Sequence, residues 1–297
     1  MVSKKQGYIY LLLTFVLWGS LYVVSKYTLG KLPPFTISFI RFVIAFLTLC
    51  VLQGTTKKKM DRRDYKYVLL IGGAGYFIAV GAQLLGTKYA GASVASLINS
   101  LNPVTMTLFA MLLLGEAVAL GKIAGICLAL AGVYVILGTG RGEIGLNGIL
   151  LSLFSVVLWS VVSVMTRKVT QKYEPLQITR NSAGVAAVLY LPVCLWEVQA
   201  EGGIHPDLSC AAALAYMGIL CTGIAYLLWN KSLSVLEAGT CSAFYPVQPL
   251  VSAGLGIIFL GEKVGMTFWT GAALIVAGVL VNLLSGGRKK AAENHTI

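Results

Sequence analysis

Residues 101–116 and 247–262 carry the same punctuation. The first stretch reads Leu101-Asn102-Pro103-Val104 and ends, after an apolar run, on Leu114-Gly115-Glu116. The second reads Val247-Gln248-Pro249-Leu250 and ends on Leu260-Gly261-Glu262. One offset of 146 carries Asn102 onto Gln248, Pro103 onto Pro249, Glu116 onto Glu262 and Gly132 onto Gly278. Upstream, an offset of 141 carries Trp18 onto Trp159, Lys26 onto Arg167 and Pro34 onto Pro175. Two units of roughly 145 residues therefore fill almost the whole chain. In a membrane protein such a repeat points to a transporter with its site between the halves.

Composition says that this is a membrane protein. The chain is 57% hydrophobic and 11% charged, with a mean hydropathy of +0.82, where a soluble domain carries about 25% charged residues. The net charge of +12 would suggest nucleic acid in a soluble protein, but here it sits in the loops, so the expected partners are the lipid bilayer and a small molecule. The six cysteines lie in or beside apolar runs without C-x-x-C spacing and read as small apolar residues rather than disulfides or metal ligands. About 20 apolar residues cross a bilayer as a helix. Ten such segments can be read: 8–27, 35–53, 67–87, 93–114, 119–138, 147–166, 176–196, 211–230, 238–260 and 266–285. Lys4 and Lys5 before the first segment mimic a signal peptide, but that segment is too long and lacks an A-x-A cleavage site. It is taken as the first span.

Basic residues orient the spans. With the N-terminus inside, the inner segments hold Lys4, Lys5, Lys57, Lys58, Lys59, Arg62, Arg63, Lys66, Lys122, Arg167, Lys168, Lys172, Lys231, Arg288, Lys289 and Lys290. The outer segments hold Lys26, Lys31, Lys88, Arg141 and Lys263, and the loop 197–210 carries Glu197, Glu201 and Asp207 without a basic residue. Both termini are thus expected in the cytoplasm. Five spans per unit is an odd number, so the second unit enters the membrane upside down. The expected architecture is an all-α membrane protein of ten transmembrane helices: one five-helix repeat over 1–138, an inverted one over 147–285, and a cytoplasmic basic tail over 286–297. Such a pair offers equivalent gates on the two sides and suits alternating access. One chain holds both halves, so a monomer suffices and a dimer is open.

The side chains inside the spans narrow the function. Asn102 and Gln248 stand near the middles of spans 4 and 9, each followed by a proline that frees a carbonyl and kinks a helix, with Asn99 and Tyr245 nearby. They are read as substrate-binding amides, with Pro103 and Pro249 as hinges; the rival reading is a structural kink with an interhelical hydrogen bond. Trp18 and Trp159 lie too deep for the interfacial aromatic belt and are assigned to the cavity wall or to packing. Gln83 and Trp229 align with each other, and with Tyr76, Tyr226 and Asn230 they are candidates for the same lining. Arg41 lies about seven residues into span 2, roughly 10 Å along the axis. It either snorkels or supplies positive potential to the cavity; Arg180 poses the same choice. No Asp or Glu is expected inside a span, and His205 and His295 lie outside the spans. That leaves no acid/base set for an enzyme, no metal motif and no need for a cofactor. It also argues against a proton-coupled exporter of lipophilic cations, which would need a membrane-embedded carboxylate.

Ten spans in two halves, Trp18-Gly19-Ser20 followed by Tyr22 and Lys26, Arg41-Phe42 in span 2, and proline then Leu-Gly-Glu around spans 4 and 9 together resemble the EamA type of the drug/metabolite transporter superfamily. The resemblance covers residues 8–285. It implies a bacterial inner-membrane carrier with a ten-helix basket around a central cavity, often an exporter of amino acids or other metabolites. The expected function is a secondary transporter, an exporter of small organic metabolites such as amino acids. Efflux of drugs or cationic compounds is the alternative.

Overall fold

The computed structural model describes residues 2–53, 60–90, 95, 98–116, 120–137, 146–201, 203–204, 206–260 and 266–293. Lys57, Lys58, Lys59, Arg141, His205, Gly261, Glu262, Lys263 and His295 lie outside the described residues. All regular structure among the described residues is helical. In order these helices are α1 (Lys4–Leu29), α2 (Pro34–Leu52), α3 (Tyr65–Leu69), a π-helix Leu70–Ala79, α4 (Val80–Ala90), α5 (Asn102–Leu114), α6 (Leu120–Leu137), α7 (Leu146–Thr170), α8 (Pro175–Ala200), α9 (Leu208–Tyr216), a π-helix Met217–Ile224, α10 (Ala225–Leu233), α11 (Ala238–Ser242), α12 (Val247–Leu260) and α13 (Met266–Glu293). A short 3₁₀ turn, Arg62–Asp64, precedes α3.

Six helical stretches are long and apolar enough to cross a membrane: Lys4–Leu29, Pro34–Leu52, Arg62–Ala90, Leu146–Thr170, Pro175–Ala200 and Leu208–Leu233. Shorter apolar helices occupy Asn102–Leu114, Leu120–Gly132 and Trp269–Val281. Large apolar side chains point outward, among them Val51 at 86% and Trp196 at 68% exposure. That is the surface of a chain dissolved in lipid, where the helix satisfies its own backbone.

The structure corrects the expected spans in four places. The segments read as single spans over 93–114 and 238–260 are interrupted before their prolines, so each is two pieces instead of one bent helix. Leu101 N donates to Ile98 O at 3.0 Å, and Tyr245 N to Ser242 O and Gln248 N to Tyr245 O, both at 3.0 Å. These tight i−3 turns precede fresh helices that start at Asn102 and Val247. Proline lacks an N–H and suits a first turn, so Pro103 and Pro249 begin half-helices instead of bending whole ones. Second, the third and eighth segments contain π-helix, over Leu70–Ala79 and Met217–Ile224, where plain α-helix was expected. Both stretches are rich in glycine, which holds the α conformation weakly. Third, Glu197, expected in a loop, lies buried in the last turn of α8. The prolines that open α2 leave it without a side-chain cap of its own. Glu197 supplies one across the fold: its carboxylate accepts from Phe35 N at 3.1 Å and from Thr36 N at 2.6 Å. A carboxylate at a helix N-terminus meets both orphan N–H groups and the positive end of the dipole. Fourth, α13 continues to Glu293, so the basic stretch after residue 285 begins as helix; lysine, arginine and alanine are good helix formers.

Packing contacts come in pairs related by the sequence offsets. Ser155 Oγ donates to Ala79 O at 2.7 Å, and Thr14 Oγ1 to Ala225 O at 3.3 Å. A Cβ on Gly72 would lie 2.6 Å from Ser182 O, and one on Gly218 would lie 3.3 Å from Arg41 O. Between α6 and α13, a Cβ on Gly132 would lie 2.5 Å from Gly271 O, and one on Gly278 would lie 2.6 Å from Gly125 O. In each pair, the residue from one unit meets a helix of the other unit.

Candidate functional site

A central cavity of about 720 Å³, its open mouth included, lies where these helices meet. Its lining includes nine of the ten residues expected to bind substrate: Trp18, Arg41, Gln83, Asn99, Asn102, Trp159, Tyr226, Tyr245 and Gln248. The tenth, Trp229, does not line it. Its ring is 2% exposed and packs behind the cavity against Phe15 and Tyr245, with both centroids at 5.8 Å. Tyr76 and Asn230 are likewise buried behind the lining, joined by a 3.2 Å hydrogen bond. Pro103 and Pro249 stay out of the lining and open the half-helices that carry Asn102 and Gln248 into it.

The two ends of the cavity differ in chemistry. Toward the C-terminal ends of α1 and α4 it is bounded by Leu21, Tyr22, Ser25, Gln83, Thr87 and Asn99. Tyr22 Oη accepts from Asn99 Nδ2 at 2.6 Å and from Gln83 Nε2 at 3.1 Å. At the other end the cavity stops on packed rings. Trp18 meets Tyr226 edge-on at 5.4 Å and Trp159 at 5.9 Å, and Phe15 meets Tyr245 at 4.8 Å. Trp159 Nε1 donates to Tyr245 Oη, and Trp18 Nε1 donates to Cys221 O at 3.1 Å. That last carbonyl belongs to the second π-helix. The buried Trp18 and the partly buried Trp159 thus each find a partner for their single donor.

Beyond the rings, the Leu-Gly-Glu motif closes the same end. Gly115 ends α5 in the left-handed region, φ +66°, which glycine adopts without penalty. This turns Glu116 toward α7, where its carboxylate accepts from Arg167 Nε at 2.5 Å and from Ala238 N at 3.2 Å. Arg167 Nη1 also donates to Leu233 O at 2.9 Å and to Leu236 O. Lys122 pairs with Glu237 beside it. One ion-paired cluster therefore ties the starts of α6 and α11 to the end of α7.

Of the two arginines with open roles, Arg41 lines the cavity and Arg180 does not; Arg180 binds the Asn181 side chain at 2.7 Å. Arg41 is 3% exposed. Its Nε donates to Thr222 Oγ1 at 3.1 Å, and that hydroxyl donates to Met217 O, five residues back along the π-helix, at 2.8 Å. Among the described residues its two Nη groups have no hydrogen-bond partner, and no Asp or Glu lines the cavity. Nor do the described residues hold a cluster of His, Cys, Asp or Glu fit for a metal. Tyr22 was missed as a site residue: it stands in the Trp-Gly-Ser stretch, but its repeat mate is Ser163, so the duplication gave it no emphasis.

The sequence profile of the EamA-like transporter family matches this chain twice, over residues 5–138 and 146–284. An uncharacterized transporter of Archaeoglobus fulgidus is 28% identical over 276 residues, covering 92% of this chain and 97% of the relative. The uncharacterized transporter YvbV of Bacillus subtilis is 28% identical over 287 residues, covering 95% and 94%. A probable terminal-alkyne amino-acid exporter of Streptantibioticus cattleyicolor is 26% identical over 285 residues, covering 95% of each. A solved crystal structure, 23% identical, superposes with a TM-score of 0.80 over 95% of this chain and 98% of that one, a likeness of fold. With its apolar helices and a profile match on both units, the chain belongs to the EamA-like transporter family.

Proposed function

We propose that this protein is a secondary transporter, an exporter of small organic metabolites such as amino acids, working by alternating access around the central cavity. In this reading, residues 1–138 and 147–285 form two inverted five-helix halves, ten spans in all, in a bacterial inner membrane with both termini in the cytoplasm. The observation that carries it is the cavity itself: it lies at the breaks of two matched helices, where Asn102 and Gln248 stand in its lining. Broken helices at corresponding positions of two halves are the usual pointer to a transport site. The paired contacts between units, each related to its partner by the offsets of 141 and 146, support a pseudo-twofold arrangement. The charge asymmetry of the loops supports the orientation. With the termini inside, the polar end at Tyr22, Gln83 and Asn99 lies on the outer side, and the rings and the Glu116–Arg167 cluster lie on the cytoplasmic side.

Arg41 favours an anionic or zwitterionic cargo, because a buried guanidinium without a carboxylate partner repels cations. The aromatic floor is the one feature that favours cationic compounds, and Arg41 beside it counts against them. Proteoliposomes preloaded with an unlabelled L-amino acid should take up the labelled one by saturable counterflow. Flux that never saturates, or counterflow of cationic dyes without any amino acid, overturns the reading.

A further inference from the structure

The amide that the sequence brings forward in the first unit is not free to meet a ligand. Asn102 is 1% exposed, and both ends of its side chain are engaged. Its Oδ1 accepts from Ser160 Oγ at 3.2 Å, while its Nδ2 donates to Asn99 O at 2.8 Å and lies 3.4 Å from Asn99 Oδ1. With Oδ1 of Asn99 turned toward Asn102, the Asn99 Nδ2 faces the other way and donates to Tyr22 Oη. Gln83 donates to the same oxygen. The chain of donors therefore runs in one direction, from Ser160 through Asn102 and Asn99 to Tyr22.

A phenolic oxygen that already accepts two hydrogen bonds has one thing left to offer, its own proton. Among the described residues no acceptor lies within reach of it, and Tyr22 lines the cavity. Arg41 lines the same cavity with its Nη groups unspent. The lining presents these donors and holds no Asp or Glu to take them.

We propose that the Tyr22 hydroxyl donates a hydrogen bond to the carboxylate of the transported molecule, in the cavity that Arg41 also lines. Gln83 and Asn99 are positioning residues that aim the Tyr22 proton, and Asn102 holds Asn99 in place. This deepens the metabolite-carrier reading above and rests on it. It also moves the role of Asn102 from contact to support.

The test is ligand binding to the purified full-length protein by thermal shift and calorimetry. The probes are the twenty common L-amino acids and their carboxamides, against wild type, Tyr22→Phe and Asn99→Asp. Tyr22→Phe removes one oxygen and keeps the ring, and its ligand-free melting temperature reports whether the fold is intact. Hydrogen bonds to charged groups outweigh those to neutral ones. Acids that bind wild type should therefore bind Tyr22→Phe about 10- to 100-fold more weakly, while the carboxamides lose less than about fivefold. Asn99→Asp gives Tyr22 an acceptor of its own and should weaken the acids at least as much. Wild-type affinity for the acids in Tyr22→Phe overturns this inference alone, and wild-type affinity in Asn99→Asp overturns the aiming role. If none of the twenty acids binds wild type, the amino-acid reading falls and this inference with it.

Discussion

The polar end and the aromatic floor of the cavity occupy equivalent positions of the two units, yet they are made of different matter. Gln83 at the polar end corresponds to Trp229 packed behind the floor, and Asn99 to Tyr245 in it. Arg41 and Tyr22 correspond to Ser182 and Ser163, both buried. A duplicated backbone supplies the same two niches. Hydrogen-bonding groups fill one, and rings packed edge to face fill the other. The difference teaches that repeat symmetry fixes where side chains are placed and leaves open what force acts there.

Substitution at matched positions should break or sharpen this contrast. The largest effect is expected behind the floor. Trp229→Ala removes a fully packed ring and should cost roughly 3–5 kcal/mol, while the equivalent Gln83→Ala gives up one cavity-side hydrogen bond for about 1 kcal/mol. Chemical or thermal denaturation in detergent compares them directly, and equal losses would erase the distinction. Next comes Arg41→Met. It removes a buried charge whose Nη groups lack a partner, so the ligand-free melting temperature should stay level or rise. Binding of acids should fall by about 100-fold, near 2.7 kcal/mol. A drop in both would recast Arg41 as a structural residue. The smallest effect is a pH dependence at the sealed end. Burial pushes the Glu237 carboxyl up, but the Lys122 hydrogen bond and the charges of Lys122, Arg167 and Lys4 outweigh it, so its pKa lies below the ordinary 4.5. A carboxyl depressed on folding contributes stability that is complete above its unfolded value and is lost as pH falls through its folded one. The melting temperature should therefore hold from pH 7 to about 5 and decline below 4.5, and Lys122→Gln should flatten that decline.

Much of this was legible because the chain repeats. Asn102 and Gln248 stood out as an amide before proline in both units, and both reach the cavity. Trp18 and Trp159 stood out in the same way. What the repeat could not convey was exposure. Trp229 was grouped with the lining because it aligns with Gln83, but a large ring at that position found aromatic neighbours and turned inward. Tyr22 escaped notice for the opposite reason, being unmatched in the second unit. The proline steps were read as kinks or breaks inside spans 4 and 9, since proline in sequence signals a lost hydrogen bond without saying whether the axis bends or restarts. The π-helices left only a trace, a local excess of glycine. Glu197 was assigned to a loop, because its cap on α2 spans 161 residues of sequence and no local pattern announces it.

The glycine crossing of α6 with α13 has a mechanical consequence. Among the described residues neither helix contributes a side chain to the cavity, and at both crossing points backbone lies where a Cβ would need to be. Sliding one helix along the other would drive ridges into ground that only glycine leaves vacant, so the pair behaves as a dovetail joint. It locks the two units together at a seam away from the cavity, and the remaining helices pack around a joint that leaves no room to slide.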